Sequence, residues 1–216
     1  MPQADHTGLG WKFAAVIVAG MLLLAVPSEG AADSFLEPLK VVKLDGKVCV
    51  STRLLGGFSK TLTETITSGI PATFSYEIEL WGKKPLWADE SIASKALERV
   101  VTFNSLTSEF QVAQKGNSAS WRRTSKDLEE VKKWVTPVEA LPLVSVADLD
   151  PKQKYYVRVR AMVKTDQSRS ALKSVLLFIS SFKVRTGWKQ SELFALEDLV
   201  SPNASGPSTP PSERNP

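Results

Sequence analysis

The segment from Ala72 to Trp81 alternates between apolar and polar side chains, and no other feature constrains the fold of this 216-residue chain as strongly. Successive side chains of a β-strand point to opposite faces, so a period of two predicts a strand with one buried face and one wet face. A sheet with one face on a core is therefore expected. The predicted inward side chains are Ala72, Phe74, Tyr76, Ile78 and Leu80, and the predicted outward ones are Thr73, Ser75, Glu77 and Glu79.

Short strands are predicted on both sides of this segment. Asp45 and Gly46 accept the positive φ angles of a type I′ turn and join two apolar runs, which predicts a hairpin. A meander of residues 96–104 and 109–114 is followed by a further segment at 118–123. The other predicted strands are the hairpin arms Leu39–Leu44 and Lys47–Leu54, an edge strand interrupted by prolines at Pro137–Val146, and the later strands Tyr155–Lys164 and Ser181–Trp188, the last burying Phe182, Val184, Thr186 and Trp188.

Two short helices are predicted between the strands. Ser59 is a good N-cap for the first, which stops at Gly69. Thr124 and Ser125 are expected to open the second, whose apolar side chains recur at spacings of three and four and pack on the sheet. A terminal helical turn is expected at Leu193–Leu199. The packing residues are Leu62 and Ile66 in the first helix and Leu128, Val131 and Val135 in the second.

One segment resembles a known corner of β-sandwich domains. Leu149, Pro151 and Tyr155 begin the spacing L-x-P-x-x-x-Y-x-V-x-V-x-A, which is similar to the passage between strands E and F of fibronectin type III domains. In such sandwiches a tyrosine at this corner bonds back to the backbone of the preceding loop, and this role is assigned to Tyr155. The expected fold class is mainly β, an immunoglobulin- or fibronectin-like β-sandwich with one or two short helices.

Residues 1–32 have the three-part layout of a secretory signal peptide. Lys12 precedes the apolar run Phe13–Val26, and Gly30 and Ala32 place small side chains where a signal peptidase requires them. A run of 14 residues makes about 21 Å of helix, whereas a membrane span takes roughly 20 apolar residues, so cleavage after Ala32 is favoured over an uncleaved N-terminal anchor. The protein is expected to be extracytoplasmic, periplasmic or secreted. It contacts the membrane through this segment if the signal is not cleaved.

The rest of the chain divides into a domain and a tail. Residues 33–200 are expected to form the sandwich, whereas residues 201–216, with five prolines and four serines, are expected to be disordered. Residues 1–32 hold one lysine and two acidic residues, so the net charge of the remainder is +5 where that of the whole chain is +4. This mild excess is explained most simply by solubility. A charged partner, if there is one, is expected to be anionic lipid headgroups, polyanionic glycans or an acidic protein and not nucleic acid.

The residue types present limit the available chemistry. The only histidine, His6, lies in the predicted signal, so the mature chain would have no Ser-His-Asp or Cys-His pair and no histidine-dependent zinc site. Cys49 is alone, forms no intramolecular disulfide, and is expected to pack in the core. No cofactor and no metal site are predicted. A pair of carboxylates in one cleft stays open as a catalytic arrangement, drawn from Glu77, Glu79, Asp89, Glu90 and Glu98.

Two groups of residues are candidate contact sites. If the two later strands pair, one outward face is basic, and it is either neutralised by Glu77 and Glu79, the favoured interpretation, or binds an anionic partner. The apolar run 175–179 either caps the core or touches a membrane or a protein. The predicted basic face consists of Arg158, Arg160, Lys183 and Arg185, and the predicted apolar contact consists of Val175, Leu176, Leu177, Phe178 and Ile179.

Several motifs together resemble the bacterial domain-of-unknown-function family 4390. The resemblance runs from about Val48 to Phe194. It implies an exported protein of unknown activity that is often encoded near sensor histidine kinases of the nitrogen-regulation type, and it implies no catalytic or binding residue. The motifs are GGFS at residues 56–59, SGIPATFSYEIELW at 68–81, W-x-D-E with Trp87, Asp89 and Glu90, and YYVRVRA at 155–161.

The sequence predicts a non-enzymatic binding or accessory protein of the bacterial cell envelope. Its expected partner is an envelope protein, with a membrane sensor kinase as the partner that the family resemblance implies. The alternative is a secreted hydrolase that acts through carboxylates. That alternative requires two acidic side chains about 5 to 9.5 Å apart in one concave pocket.

Overall fold

The computed structural model describes three stretches of the chain, residues 35–116, 120–165 and 183–201. All three belong to one unit, Ser34–Pro216. Four predictions lie outside the described residues, namely the signal peptide at 1–32, the apolar contact at 175–179, the burial of Phe182 and the tail beyond residue 201.

The described stretches contain eleven strands and two α-helices. In chain order they are β1 (Phe35–Leu36), β2 (Lys40–Leu44), β3 (Lys47–Leu55), α1 (Lys60–Thr67), β4 (Ala72–Gly82), β5 (Glu90–Asn104), β6 (Glu109–Gly116), β7 (Trp121–Ser125), α2 (Leu128–Val135), β8 (Pro137–Ser145), β9 (Tyr155–Thr165), β10 (Lys183–Arg185) and β11 (Lys189–Gln190).

The strands form two antiparallel sheets. In the four-stranded sheet, β1 and β2 follow one another along one side of β3, and β8 lies along the other side. The seven-stranded sheet has the order β10-β9-β4-β5-β6-β7, and β11 also pairs with β9. In an immunoglobulin-like sandwich strand F lies between C and G, and β9 lies in the same way between β4 and β10. The predicted mainly-β, sandwich-like fold is confirmed.

The core lies between the two sheets, because one cluster of buried apolar side chains combines inward residues of both. The predicted inward side chains of β4 are buried, with exposures of 0 or 1%. Helix α1 packs against β5, and α2 packs against β6 and β7. The helices contribute the buried side chains Leu62, Ile66, Val131 and Val135 to the core, and Leu128 packs against it.

Three local predictions are confirmed. Asp45 and Gly46 have φ angles of 49° and 72°, as a type I′ turn requires. The Ser59 hydroxyl accepts the backbone N–H of Leu62 at 3.1 Å and caps α1. The Tyr155 hydroxyl donates to the carbonyl oxygen of Asp150 at 2.9 Å, which fixes the corner before β9. The terminal turn is also present, as a 3₁₀ turn at Leu196–Asp198.

The predicted start of the second helix was wrong. Thr124 and Ser125 end β7, because Thr124 pairs with Gln111 in the sheet. The N-cap of α2 is Asp127, whose carboxylate accepts the backbone N–H of Glu129 at 2.8 Å. Ser125 instead accepts the backbone N–H of Asp127, which turns the chain from the strand into the helix.

Candidate functional site

Two arginines on the outer face of the seven-stranded sheet are paired with carboxylates of the neighbouring strand. The register of β4 and β9 places Glu79 opposite Arg158 and Glu77 opposite Arg160. The Arg158 Nε donates to Glu79 Oε2 at 2.6 Å, and the Arg160 guanidinium donates to Glu77 Oε2. The interpretation of this part of the predicted basic face as salt-bridged is therefore confirmed by geometry.

Two indole rings complete this arrangement. The guanidinium carbon of Arg158 lies 4.3 Å from the ring centre of Trp81 and 4.5 Å from that of Trp188. Arg160 lies 4.3 Å from the same Trp188 ring, and Trp81 Nε1 donates to Glu79 Oε2 at 2.8 Å. The cations are held by ring faces and carboxylates together. We call this group the outer ladder; it consists of Glu77, Glu79, Trp81, Arg158, Arg160 and Trp188.

The position of Trp188 corrects the sequence prediction, which buried it in the core. Arg185 pairs with Met162, whereas Lys189 pairs with Val159, so the later strand contains one extra residue between the two pairings. A one-residue shift moves every following side chain to the other face of a sheet. Trp188 follows this shift and lies half-buried over the arginines, whereas Thr186 before it is buried as predicted.

The other half of the predicted basic face is not neutralised in the same way. Lys183 pairs with Lys164 and Arg185 pairs with Met162, so both side chains share the outward face of β9 with the arginines of the outer ladder. Both are exposed. In the described part of the chain no carboxylate forms an ion pair with either of them. Lys183 and Arg185 are called the free basic corner below.

The acidic residues considered for hydrolysis are distributed along the outer face and its end. Asp89 forms an ion pair with Lys83 at 3.3 Å, and Glu90 forms one with Lys84 at 2.6 Å. Glu98 is exposed and accepts from the Ser75 hydroxyl at 3.4 Å. With Glu77 and Glu79 engaged by arginines, all five carboxylates have polar partners on this surface.

Asp89 is the best-connected of these carboxylates. It accepts from the Tyr156 hydroxyl at 3.1 Å and from the backbone N–H of Lys84 at 3.3 Å, besides its ion pair with Lys83. Desolvation would raise the pKa of Asp89, but the three hydrogen bonds outweigh it and lower the pKa below its usual value. Desolvation and the hydrogen bond to Asp89 raise the pKa of Tyr156. The β4–β5 loop is thereby fastened to the start of β9.

A groove of about 600 Å³ opens elsewhere, between the β1–β2 segment and the C-terminal residues after β11. None of the residues of the outer ladder or the free basic corner lines it. Its walls include Pro38, Leu39, Val41, Glu192, Leu193, Phe194, Asp198 and Leu199.

A family model matches residues 32–192, which is most of the chain. The chain belongs to the DUF4390 family. That family is a domain of unknown function, so membership in it assigns no activity and no residue roles. No match was found among the curated proteins or among the solved structures.

Three chemical features of this DUF4390 protein follow from its described residues. Cys49 is 2% exposed on β3, and burial raises the pKa of its thiol, so the reactive thiolate is disfavoured. Within the described ranges no group of three or more His, Cys, Asp or Glu side chains is arranged to hold a metal ion. Over the same residues, no helix is both long enough and apolar enough to cross a membrane.

One buried polar group of the DUF4390 domain was not predicted from the sequence. Arg99 points into the core and is 8% exposed. Its Nε donates to Gln114 Oε1 at 2.9 Å, and its Nη1 donates to the carbonyl oxygens of Val135, at 3.0 Å, and Pro137. Val135 is the last residue of α2 and Pro137 lies two residues beyond it. At a helix C-terminus the backbone acceptors lack helical partners and a positive charge is favourable. Burial lowers the pKa of Arg99.

Tyr76 completes this buried arginine cluster. Its ring lies 5.9 Å from the Arg99 guanidinium carbon, and its hydroxyl donates to the carbonyl oxygens of Val135, at 2.9 Å, and Thr136, at 3.0 Å. Burial raises the pKa of Tyr76 strongly. The alternation of β4 correctly predicts that Tyr76 is buried, but no sequence signal distinguishes inward Arg99 from a solvated arginine. The cluster ties α2 and β8 to the larger sheet.

Proposed function

We propose that this protein is an exported, non-enzymatic binding or accessory module of the bacterial cell envelope, whose partner is an acidic segment of an envelope protein such as a membrane sensor kinase. The free basic corner is the observation that carries the proposal. Lys183 and Arg185 are exposed beside the half-buried ring of Trp188, and no carboxylate of the described residues neutralises them. Exposed cations beside an aromatic ring suit a carboxylate-rich partner.

The outer ladder supports the same proposal by holding this surface in place. Arg158 and Arg160 are fixed between ring faces and carboxylates, so the face beside the free basic corner loses little side-chain freedom when a partner binds. The alternative, a carboxylate-dependent hydrolase, receives less support. Glycoside hydrolysis needs one carboxylic acid that protonates the leaving group, and here Glu77 and Glu79 instead bind guanidinium groups.

Export is part of the proposal and rests on the layout of residues 1–32. If the signal is cleaved after Ala32, sequencing of the protein recovered from the cell envelope will begin at Asp33. Recovery of an intact N-terminus in the membrane fraction would instead identify an anchored form, which places the same domain outside the cytoplasm. An intact chain in the cytoplasmic fraction would contradict export.

The interaction is tested by crosslinking in intact cells, followed by recovery of the tagged protein. The variant Lys183→Glu/Arg185→Glu reverses the free basic corner without touching the outer ladder. We expect it to retain less than about one tenth of the crosslinked partner, since like charges at a binding surface oppose an acidic segment. Lys40→Glu/Lys47→Glu is the matched control, because both lysines are exposed on the other sheet and the change in net charge is the same. Equal recovery from both variants would contradict the proposal.

A further inference from the structure

The β4–β5 loop, residues 83–89, exposes two large apolar side chains at its tip. Leu86 is 89% exposed and Trp87 is 81% exposed, and Pro85 precedes them. Single exposed apolar residues are common on protein surfaces, but adjacent leucine and tryptophan side chains that both protrude from one loop are a local apolar patch. Both side chains protrude into solvent, so they can insert into a soft or concave partner but cannot enclose a small molecule.

Lysines surround the base of the same loop. The segment before β9 lies against the loop, since Lys83 N–H donates to the carbonyl oxygen of Lys154 at 2.8 Å and Gln153 Nε2 approaches the carbonyl oxygen of Lys83 at 3.4 Å. Together they line an open groove of about 410 Å³. The groove is lined by Lys83, Lys84, Pro85, Asp150, Lys152, Gln153 and Lys154.

The charges around this groove leave an excess of positive charge. Lys83 and Lys84 are paired with Asp89 and Glu90. Lys152 and Lys154 are exposed, and no ion pair is formed by either of them with another described residue. The carboxylate of Asp150, which also lines the groove, offsets one of these two charges, so the excess is one positive charge. The excess lies directly beside the apolar tip.

Hydrogen bonds at its base also fix the β4–β5 loop to the sheet. Asp89 accepts from the Tyr156 hydroxyl and from the backbone N–H of Lys84, which ties both ends of the loop to the start of β9. The Tyr156 ring in turn stacks on Trp81 with the ring centres 6.5 Å apart. The tip is therefore presented on a fixed base, so less conformational freedom is lost when it binds.

We propose that the β4–β5 loop docks this protein on an anionic phospholipid surface. Leu86 and Trp87 enter the interface between headgroups and acyl chains, where an indole is favoured, and Lys152 and Lys154 bind the phosphates around the entry point. A protruding apolar tip beside exposed lysines matches a bilayer, whose headgroups are anionic and whose interior accepts protruding side chains. This contact is separate from the free basic corner and holds whether or not the latter binds a protein.

The chain supplies its own control for this loop. Leu106 is 94% exposed in the β5–β6 turn, at the opposite end of β5 from Leu86. The residues of that turn, 105–108, carry no charge. A probe at position 106 therefore replaces a leucine of similar exposure in a turn without lysines.

The test places an environment-sensitive fluorophore at Leu86→Cys or at Leu106→Cys in the full chain. The native Cys49 is 2% exposed, so labelling is selective for the introduced thiol. Vesicles contain either equal parts of phosphatidylglycerol and phosphatidylcholine or phosphatidylcholine alone. The fluorophore responds only to its immediate surroundings. Vesicle binding through Phe13–Val26 therefore does not by itself change the emission of the probe at residue 86.

We expect the emission of the residue 86 probe to shift to the blue on the anionic vesicles only, and that of the residue 106 probe to stay unchanged. Lys152→Gln/Lys154→Gln should weaken the residue 86 response by about fivefold for each lysine removed, and Lys40→Gln/Lys47→Gln should leave it unchanged. Equal responses of the two probes, no response at residue 86, or an equal response on neutral vesicles would each overturn the proposal. If the Leu86→Cys variant gave no vesicle response and also lost the crosslink to an envelope protein in intact cells, the loop would be assigned to a protein partner instead.

Discussion

Arginines on the two faces of the larger sheet are held in opposite ways. Arg99 lies inside, is 8% exposed, and donates to backbone carbonyl oxygens and an amide oxygen, with no carboxylate among the partners described above. Arg158 lies outside, keeps 30% of its side chain exposed, and binds the carboxylate of Glu79. Both approach aromatic rings, Tyr76 inside and Trp81 and Trp188 outside.

The difference separates a structural role from a surface role. Inside, the acceptors that bind Arg99 are buried and cannot form hydrogen bonds with water instead. Each hydrogen bond that is lost therefore leaves a desolvated acceptor. Outside, Glu79 and the ring faces remain partly wet, so water replaces part of any contact that is lost. The inner cluster should therefore determine stability, whereas the outer ladder should determine the shape and charge of the surface.

The largest effect is expected from replacing the two arginines by the same residue. Arg99→Met should lower the free energy of unfolding by about 3 kcal/mol or more, because the carbonyl oxygens of Val135 and Pro137 and the amide of Gln114 lose their donor. Arg158→Met should lower it by less than about 1 kcal/mol, and that smaller effect should shrink further in 0.5 M salt. Urea unfolding of both variants at two ionic strengths measures this; equal losses would remove the distinction between the faces.

A smaller and pH-dependent effect is expected at Tyr76. Tyr76→Phe should lose about 1 to 2 kcal/mol at pH 8, because the carbonyl oxygens of Val135 and Thr136 lose the hydroxyl donor. Burial raises the pKa of Tyr76 above its ordinary value of 10.0. The hydroxyl therefore makes its full contribution to the free energy of unfolding below pH 10. Above pH 10 the unfolded chain releases the proton and the folded chain keeps it, so the wild type loses stability as pH rises.

Urea unfolding midpoints measured at pH 8, 10 and 11 test this pH dependence. The difference between the wild type and Tyr76→Phe should narrow from pH 10 upward, since the phenylalanine variant lacks the titrating group. Tyr155 and Tyr156 are present in both proteins and cancel in the comparison. A difference that stays constant to pH 11 would contradict the buried position assigned to the Tyr76 hydroxyl.

Much of the fold could be predicted from the sequence, because it depends on local patterns. The alternation from Ala72 to Trp81, the Asp45–Gly46 turn and the spacing before Tyr155 each depend on the chain itself and on the burial of one face. The start of α2 was misplaced because Ser125 and Asp127 are both good caps, and pairing of β7 with β6 decides between them.

The candidate site could be predicted only in part. The pairing of Glu77 and Glu79 with the arginines follows from strand alternation once β4 and β9 are neighbours. Trp188 could not be placed, because the one-residue shift after Arg185 is a property of the pairing and not of the residues. The burial of Arg99 could not be predicted either. A buried guanidinium needs hydrogen-bond acceptors, and here the carbonyl oxygens that accept from it belong to α2 and β8, which are distant in sequence.

Photo-crosslinking in cells from a single position is the sharpest test of whether the free basic corner binds an acidic envelope protein. A photoreactive amino acid at Arg185 should yield a discrete adduct with an envelope protein that carries an acidic segment. The same amino acid at exposed Lys47, on the other sheet, should not yield that adduct. Identical adducts from both positions, or none from Arg185 in cells that export the protein normally, would contradict the claim.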